Sequence, residues 1–243
     1  MLPLKYRIEL LSKVSEQGFS FIPHDVVRSC LTMQSKDALT DWDAFMASWN
    51  DMPIDQYMAD GGKYRRRRYA VLFSGNVDLE INVEPHQPHY QSLFYNQLNG
   101  GVAREFEPIL KDILHGSTMQ NIIKFGLNIF HEFKSQAKWH IECHQFRIEA
   151  NQTIGKPTPE GIHRDGVDFV LVMMVKRQNI SSGTTTMHDL TFKKLDSFTL
   201  REPLDIAIVD DRRCMHGVTP IEPINNDIPA YRDVLVVTYR VIS

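Results

Sequence analysis

The chain has 243 residues, of which 42% are hydrophobic, and its formal net charge is −3 at pH 7. This length and hydrophobic fraction fit one sizeable domain with a packed core, and the small net charge excludes a general attraction to nucleic acids or anionic membranes. The three cysteines are scattered, and no apolar run approaches the ~20 residues that span a bilayer. We therefore expect a cytoplasmic protein that binds neither nucleic acid nor membrane.

The first part of the chain mixes helical and extended patterns. Apolar spacing and glycine stops predict the following elements: a helix over 4–17, a strand over 19–23, a helix over 39–49, strands over 65–73 and 78–83, and helices over 108–114 and 119–133. We expect a single domain of residues 1–243, in which residues 1–135 are a helical and strand buttress for a core of residues 136–243.

Four consecutive arginines occupy positions 65–68 and lead into an apolar run. A nucleic-acid interface is disfavoured, because the tract is short and the chain is slightly acidic. Side chains alternate along a strand, so Arg66 and Arg68 would share one face while Arg65 and Arg67 share the other. The pattern fits a solvated edge strand, or a strand with one face in solvent and the other toward an anionic ligand.

From residue 139 onward, short strand-like runs alternate with turns. They are Trp139–Glu149, Asp168–Lys176, Thr184–Asp189, Asp205–Val209, Gly217–Ile221 and Arg232–Val241. Many short strands at such spacing predict a sandwich or jelly roll. The predicted fold class is therefore mainly β with flanking helices, around a double-stranded β-helix (jelly-roll, cupin-like) core.

One short motif in this region has the spacing of metal ligands. His163 and Asp165 are two residues apart, so on a strand their side chains point to the same face. With His216 from a distant strand they would form two histidines and one carboxylate on one side of a metal, which is typical of non-haem iron(II) oxygenases. A surface ion pair is the alternative for the motif alone. His188 and Asp189 do not form a comparable ligand pair, because adjacent residues on a strand point to opposite faces.

Arg232 opens an almost wholly apolar run that extends to Thr238. A guanidinium at such a position is costly to bury without a partner, and its planar fork matches a carboxylate in bidentate fashion. It therefore fits an anchor for one end of a dicarboxylate whose other end chelates a metal. The alternative is a salt bridge to a local acid. Arg240, at the other end of the run, is the less suitable anchor.

These residues together resemble those of the iron(II)/2-oxoglutarate-dependent dioxygenases, and more narrowly the bacterial amino-acid hydroxylases typified by L-isoleucine 4-hydroxylase. The stretches that carry the resemblance are 144–147, 163–166, 203–204, 216–220 and 232–238, with 99–101 further upstream. In the wider superfamily a serine or threonine often stands two residues after the anchoring arginine, but here it is Val234. We expect a hydroxyl for the co-substrate to come from residues 184–186 instead.

The resemblance implies a jelly roll that holds iron(II) through His163, Asp165 and His216, with Arg232 binding 2-oxoglutarate. It also implies the reaction: oxygen is consumed, 2-oxoglutarate is decarboxylated to succinate and carbon dioxide, and a C–H bond of a small substrate is hydroxylated. Because Asp165 fills the carboxylate position, we expect hydroxylation and not halogenation. The alternatives on the same scaffold are a metal-dependent isomerase or hydrolase, and a non-catalytic small-molecule sensor.

By analogy with that group, we expect the substrate to be a free L-amino acid with an aliphatic or thioether side chain. Its carboxylate needs a second cation and its ammonium needs an acid. The predicted substrate-binding residues are Arg66, Arg68, Gln145, Arg147 and Asp168. Phe146 and Met173 could form the side-chain pocket, though either also fits a core position. The sequence leaves the oligomeric state open.

Overall fold

A computed structural model of the protein describes residues 4–76, 79–151 and 154–242. Its helices are α1 (Leu4–Gln17), α2 (His24–Gln34), α3 (Trp42–Ala47), α4 (Lys111–Leu114) and α5 (Ser117–Phe133). Its strands are β1 (Phe19–Ile22), β2 (Arg65–Ser74), β3 (Ile81–Val83), β4 (His89–Tyr90), β5 (Ala103–Arg104), β6 (Lys138–Glu149), β7 (Phe169–Gln178), β8 (Ile180–Ser182), β9 (Thr185–His188), β10 (Lys194–Phe198), β11 (Ile206–Asp210), β12 (Met215–Val218), β13 (Ile221–Pro223) and β14 (Tyr231–Ile242).

A seven-stranded sheet in the order β1-β11-β7-β14-β6-β2-β3 is the main element of the fold. Its pairs are antiparallel, and β14 lies near its centre between β6 and β7. This position explains the apolar run after Arg232, because a central strand is covered on both faces. Three of its strands, β1, β2 and β3, precede residue 135, so the sheet draws on both parts of the chain.

Helices cover one face of this sheet. The face is formed by the odd-numbered residues of β6 and β14, including Trp139, Ile141, Val237 and Tyr239, which are buried in one cluster with α5. Phe130 of α5 stacks on Phe169 with ring centroids 4.5 Å apart. Each fully buried apolar side chain contributes about 1.5–3 kcal/mol, so this layer is a large part of the stability of the fold.

The opposite face of the main sheet meets a smaller sheet in the order β10-β9-β12. Met187 of β9 packs there against Val170 of β7 and Val209 of β11. Two antiparallel sheets that face each other around an enclosed space form the predicted jelly roll, and the mainly β class with flanking helices is confirmed. The single-domain organisation stays a prediction.

The predicted elements differ from the observed ones in details. Helix α2 was not predicted, and α3 is shorter than the predicted 39–49 because residues on both sides of it form turns. The predicted strand at 78–83 begins at Ile81 in the structure, and its first residue, Asp78, lies outside the described residues. Within the described ranges, no helix is both long enough and apolar enough to cross a membrane.

Candidate active site

A cavity lies between the two sheets, and the two-residue period of the strands determines what lines it. From β14 the cavity receives Arg232, Val234, Val236 and Thr238, and from β6 it receives Glu142, His144, Phe146 and Ile148. These residues pair across the strands, with Arg232 opposite Ile148 and Thr238 opposite Glu142. The apolar wall is largely aliphatic. Its valines are Val167, Val172, Val209, Val218, Val234 and Val236.

His163, Asp165 and His216 meet at this cavity. The backbones of His163 and His216 exchange two hydrogen bonds of 2.9 Å each, so their rings lie side by side with centroids 4.6 Å apart. Asp165 lies between them, with Oδ1 3.7 Å from His163 Nε2 and Oδ2 3.6 Å from His216 Nε2. The potential ligand atoms of the three residues all lie within 4.8 Å of one another.

The environment of these side chains fits a metal ion. His163 Nδ1 is 3.1 Å from the carbonyl oxygen of Gly161, so Nδ1 carries the proton and the Nε2 lone pair is left for a ligand bond. Burial lowers the pKa of His163, but the nearby carboxylates of Asp165 and Glu160 outweigh it and raise this pKa to about 9, so that in the absence of a metal a proton takes the place of the cation on Nε2. Two imidazoles and one carboxylate are the donor set expected for iron(II) with open positions.

Asp211 holds the loop that carries Asp165. It is buried, and its carboxylate accepts hydrogen bonds from the backbone N–H groups of Asp165, Gly166 and Val167 at 2.9, 2.8 and 3.1 Å. Burial and the charge of Asp165 raise the pKa of Asp211 to about 7. Its three backbone contacts fix the direction in which Asp165 points into the cavity.

A second group with metal-ligand spacing, His89, Glu142 and His144, faces the same cavity. Arg67 Nη2 is 2.8 Å from His144 Nδ1, and since a guanidinium only donates hydrogen bonds, Nδ1 holds the lone pair. The proton of the neutral ring is then on Nε2, which faces Glu142 at 3.5 Å and cannot also bind a metal. A buried arginine beside the ring also repels a cation. The group of His163, Asp165 and His216 is therefore the better metal site.

Arg232 lies in the cavity with only 3% of its surface exposed. Its Nε and Nη2 atoms have no hydrogen-bond partner in the part of the chain that the structure describes. Burial and the nearby charge of Arg177 lower the pKa of Arg232 to about 10. Among the described residues no acid forms an ion pair with it, so the alternative of a local salt bridge lacks a partner. A buried cation with unused donors indicates a site for an anionic ligand.

Hydroxyl groups stand in the same cavity. Thr185, in the predicted stretch 184–186, lines it from β9, and Thr238 lines it from β14. Val234 faces the cavity at the position where the superfamily often has a hydroxyl. Phe146 also lines the cavity, whereas Met173 is buried in the core cluster on the helical side.

The structure corrects the prediction for four of the substrate-binding residues, because they lie on the other face of their strands. Arg66 pairs with Arg147, and Arg68 with Gln145, across β2 and β6. Gln145 donates a hydrogen bond to Ser48 Oγ at 2.8 Å. The other three contact groups outside the cavity: Arg66 binds Glu149 and the carbonyl of Met52, Arg68 binds the carbonyls of Asp51 and Pro108, and Arg147 binds Asp233.

Asp168 is likewise outside the cavity. One carboxylate oxygen is 3.2 Å from Arg212 Nη1, and the other accepts a hydrogen bond from the backbone N–H of Val241 at 2.8 Å. It lies immediately before β7 and joins the turn before β12 to the last residues of β14. Its role in the structure is to connect these segments.

The charged residues that do line the cavity include several that the sequence analysis did not select. Arg65 and Arg67 occupy the cavity face of β2, and Arg104 reaches it from β5. Glu160, from the turn before the metal motif, lies 3.4 Å from His163 Nε2. The alternation in the arginine tract predicted two faces, but it did not indicate which of them lines the cavity. Arg104 and Glu160 have no motif that marks them.

A family model described as 2OG-Fe dioxygenase matches residues 46–238 of the chain. The chain therefore belongs to the 2OG-Fe dioxygenase family, and the resemblance inferred from its motifs is confirmed. It is an enzyme, an oxygenase that depends on iron(II) and 2-oxoglutarate and uses oxygen.

Relatives of known activity are similar to most of the chain. It is 24% identical over 240 residues to 3(1)-hydroxy-L-isoleucine 4-dioxygenase of Pantoea ananatis (strain AJ13355), with 96% of each chain covered. It is 26% identical over 188 residues to L-isoleucine-4-hydroxylase of Bacillus thuringiensis, with 73% of this chain and 75% of the relative covered.

Solved structures share the fold. A bsmA homolog from Methylobium petroleophilum PM1 is 33% identical, with a TM-score of 0.86 over 96% of this chain and 92% of that one. IDO from Bacillus thuringiensis has a TM-score of 0.80 at 18% identity, over 98% of this chain and all (100%) of the other. These superpositions agree with the jelly-roll architecture.

Proposed function

We propose that the protein hydroxylates a free L-amino acid with an aliphatic or thioether side chain and releases succinate and carbon dioxide from 2-oxoglutarate. The observation that carries the proposal is the composition of one cavity. It contains a metal-ligand group, a buried arginine at position 232 whose Nε and Nη2 atoms have no partner among the described residues, an aliphatic wall, and a second charged region around Arg67, Arg104 and Glu142. The two relatives of this chain with isoleucine in their names support the choice of substrate class.

In this proposal, His163, Asp165 and His216 hold the iron and Arg232 binds the distal carboxylate of 2-oxoglutarate, with Thr185 beside it. Iron(II) and 2-oxoglutarate, when bound, supply oxygen activation coupled to decarboxylation. The chain supplies binding and orientation. Arg232 is preorganised by burial, so little ordering is needed when the co-substrate binds, and the valine wall keeps water from the target C–H bond.

The charged regions of the cavity are far enough apart for two ligands. Arg67 is on β2 and Arg232 is on β14, with β6 between them. Two strand spacings separate the backbones of these two residues by about 10 Å. A co-substrate anchored at Arg232 therefore leaves the region around Arg67 for the amino acid. An isomerase, a hydrolase or a sensor on this scaffold would not need the anchor at Arg232. The family assignment also favours the oxygenase over these alternatives.

A cytoplasmic location stays a prediction, supported by three free, buried cysteines.

The test is a screen of free L-amino acids with the iron-loaded enzyme, 2-oxoglutarate and oxygen, in which succinate and product mass are measured together. We expect one aliphatic or thioether amino acid to give succinate and a product heavier by one oxygen atom. Its N-acetyl and methyl-ester derivatives should react far less, because each lacks one charged end. Asp165→Ala is the negative control. Equal turnover of all three forms would exclude a free amino acid as the substrate.

A further inference from the structure

We infer that Arg67 and Arg104 form a carboxylate-binding subsite for the amino-acid substrate, separate from the co-substrate anchor at Arg232. This inference rests on the proposed function and deepens it. It concerns two residues that no sequence motif marks, on the side of the cavity formed by β2 and β5.

Both guanidinium groups are buried charges with unused donors. Arg104 is 1% exposed and Arg67 is 4% exposed. The Nε and Nη2 atoms of Arg104 and the Nε atom of Arg67 lack a hydrogen-bond partner among the residues that the structure describes. A buried cation is stable only when it is paired or solvated, and a buried donor left without an acceptor is unfavourable. Donors left open at a cavity therefore point to an anionic ligand.

The two guanidinium groups converge on one place. Both lie near the ring of Phe106, with Cζ of Arg67 3.9 Å and Cζ of Arg104 5.7 Å from its centroid. Burial, followed by the charges of Arg65 and Arg104, lowers the pKa of Arg67. Like charges held together in a buried site are favourable only with a counter-ion.

No local acid forms an ion pair with Arg67 or Arg104 in the part of the chain that the structure describes. Asp55 is 2.7 Å from Arg65 Nη2 and also accepts from Arg65 Nε at 2.7 Å, so it is committed to that residue. Glu142 accepts a hydrogen bond from Tyr69 Oη at 2.8 Å and faces a group of histidines. None of the salt bridges found among the described residues pairs Arg67 or Arg104 with an acid.

The surroundings of the pair match the head group of an α-amino acid. The ring of His144 lies between Arg67 Nη2, 2.8 Å from its Nδ1, and Glu142 Oε2, 3.5 Å from its Nε2. Arg67 and Glu142 thus stand on opposite sides of one imidazole at this wall of the cavity. Arg104 is placed on the same side by the pairing of β5 with β4, where it is opposite His89. The apolar wall continues from this region toward the metal-ligand group.

The test measures ligand binding without turnover. Enzyme loaded with iron(II) and 2-oxoglutarate is titrated calorimetrically under nitrogen with the best free amino acid and with the amine that lacks only its carboxylate. We expect Arg104→Met and Arg67→Met to weaken amino-acid binding about tenfold to a hundredfold, as for the loss of a charged hydrogen bond. The amine should bind the wild type and the two variants with similar affinity.

Two further variants make the result specific. Arg68→Met removes an arginine from the same strand on the opposite face, and we expect it to leave amino-acid binding unchanged. Arg104→Lys keeps the charge and loses the planar fork, so its effect should be intermediate. Circular dichroism and melting curves verify that each variant is folded.

The possible failures are distinguishable. If the wild type binds an amino acid and the Arg67 and Arg104 variants bind it equally well, the subsite is wrong and the proposed function stands. If these variants lose 2-oxoglutarate affinity and keep amino-acid affinity, the pair serves the co-substrate and the inference is overturned. If the wild type binds and turns over no free amino acid, the proposed function fails, and the inference fails with it.

Discussion

Replacement of Arg232 by methionine should make the protein more stable and at the same time abolish its tight binding of 2-oxoglutarate. The guanidinium is buried, and its Nε and Nη2 atoms have no partner among the described residues. Methionine has a similar length, carries no charge and suits a strand that is largely apolar after Asp233. Replacement of a buried ion by a hydrophobic residue is often stabilising by about 1–4 kcal/mol.

The magnitude can be worked out from the Arg232 pKa, which burial lowers from the ordinary value of an arginine to about 10. One pKa unit corresponds to about 1.4 kcal/mol, so the charged form is disfavoured in the folded state by about 3 kcal/mol at most. Both pKa values lie well above 7. The guanidinium is therefore charged in the folded and unfolded states at neutral pH, and the full cost applies there. We expect Arg232→Met to raise the free energy of unfolding by about 1–3 kcal/mol.

The assay is urea unfolding of the metal-free protein, with thermal melting as a second measurement. For a chain of this size, Tm should rise by about 2–4 °C for each kcal/mol. Arg240→Met on the same strand is the matched control, since Arg240 is exposed and such changes stay within about 0.5 kcal/mol. The metal-loaded wild type should gain about 3 kcal/mol from 2-oxoglutarate at a hundred times its Kd, and the variant should gain far less. A large loss of stability in Arg232→Met would refute the reasoning, because it would mean that the arginine supports the fold without ligand.

Three further outcomes are expected. Asp165→Ala should lose iron(II) binding in calorimetry and all succinate formation, and unchanged iron affinity would disprove its role as a ligand. Asp211→Ala, which removes an acceptor for three backbone N–H groups, should weaken iron binding by about tenfold to a hundredfold, and normal affinity in a folded variant would contradict its positioning role. Gly126→Ala should destabilise the fold by about 1–3 kcal/mol, because a Cβ at this position would clash with Tyr239 Oη. Tyr239→Phe in the same chain should restore part of this loss. An unchanged urea midpoint for Gly126→Ala would contradict the clash.

The sequence predicted the fold class and the meeting of distant residues, because both depend on strong local patterns. Alternation and turn spacing indicate a jelly roll. The spacing of His163 and Asp165 predicts that their side chains share one face, and the observed contacts of Asp165 with His163 and His216 agree with this prediction. The local sequence does not determine which face of a strand meets the cavity. The arginine tract showed that two pairs exist, but only the pairing of β2 with β6 determines which pair meets the cavity.

Substrate-side residues were harder to predict for the same reason. A shift of one residue separates the predicted Arg66 and Arg68 from the observed Arg65 and Arg67, and it reverses every contact that they make. Arg104 reaches the cavity through a two-residue strand, which is too short to have a hydrophobic pattern. Its burial depends on contacts with segments far away in the sequence, and these become visible only in the structure.

The strand alternation also has a consequence for the durability of the enzyme. An oxygenase is exposed to its own oxidant whenever oxygen is activated without a substrate in place, and sulfur side chains are readily oxidised. Of the described methionines and cysteines, none lines the cavity, whose walls are mainly aliphatic. Cys143 lies on β6 between two cavity-facing residues, yet it is buried on the helical side of the sheet together with Met173 of β7. The two-residue period that shapes the site thus also keeps the sulfur atoms of Cys143 and Met173 behind the sheet, out of reach of the chemistry in front of it.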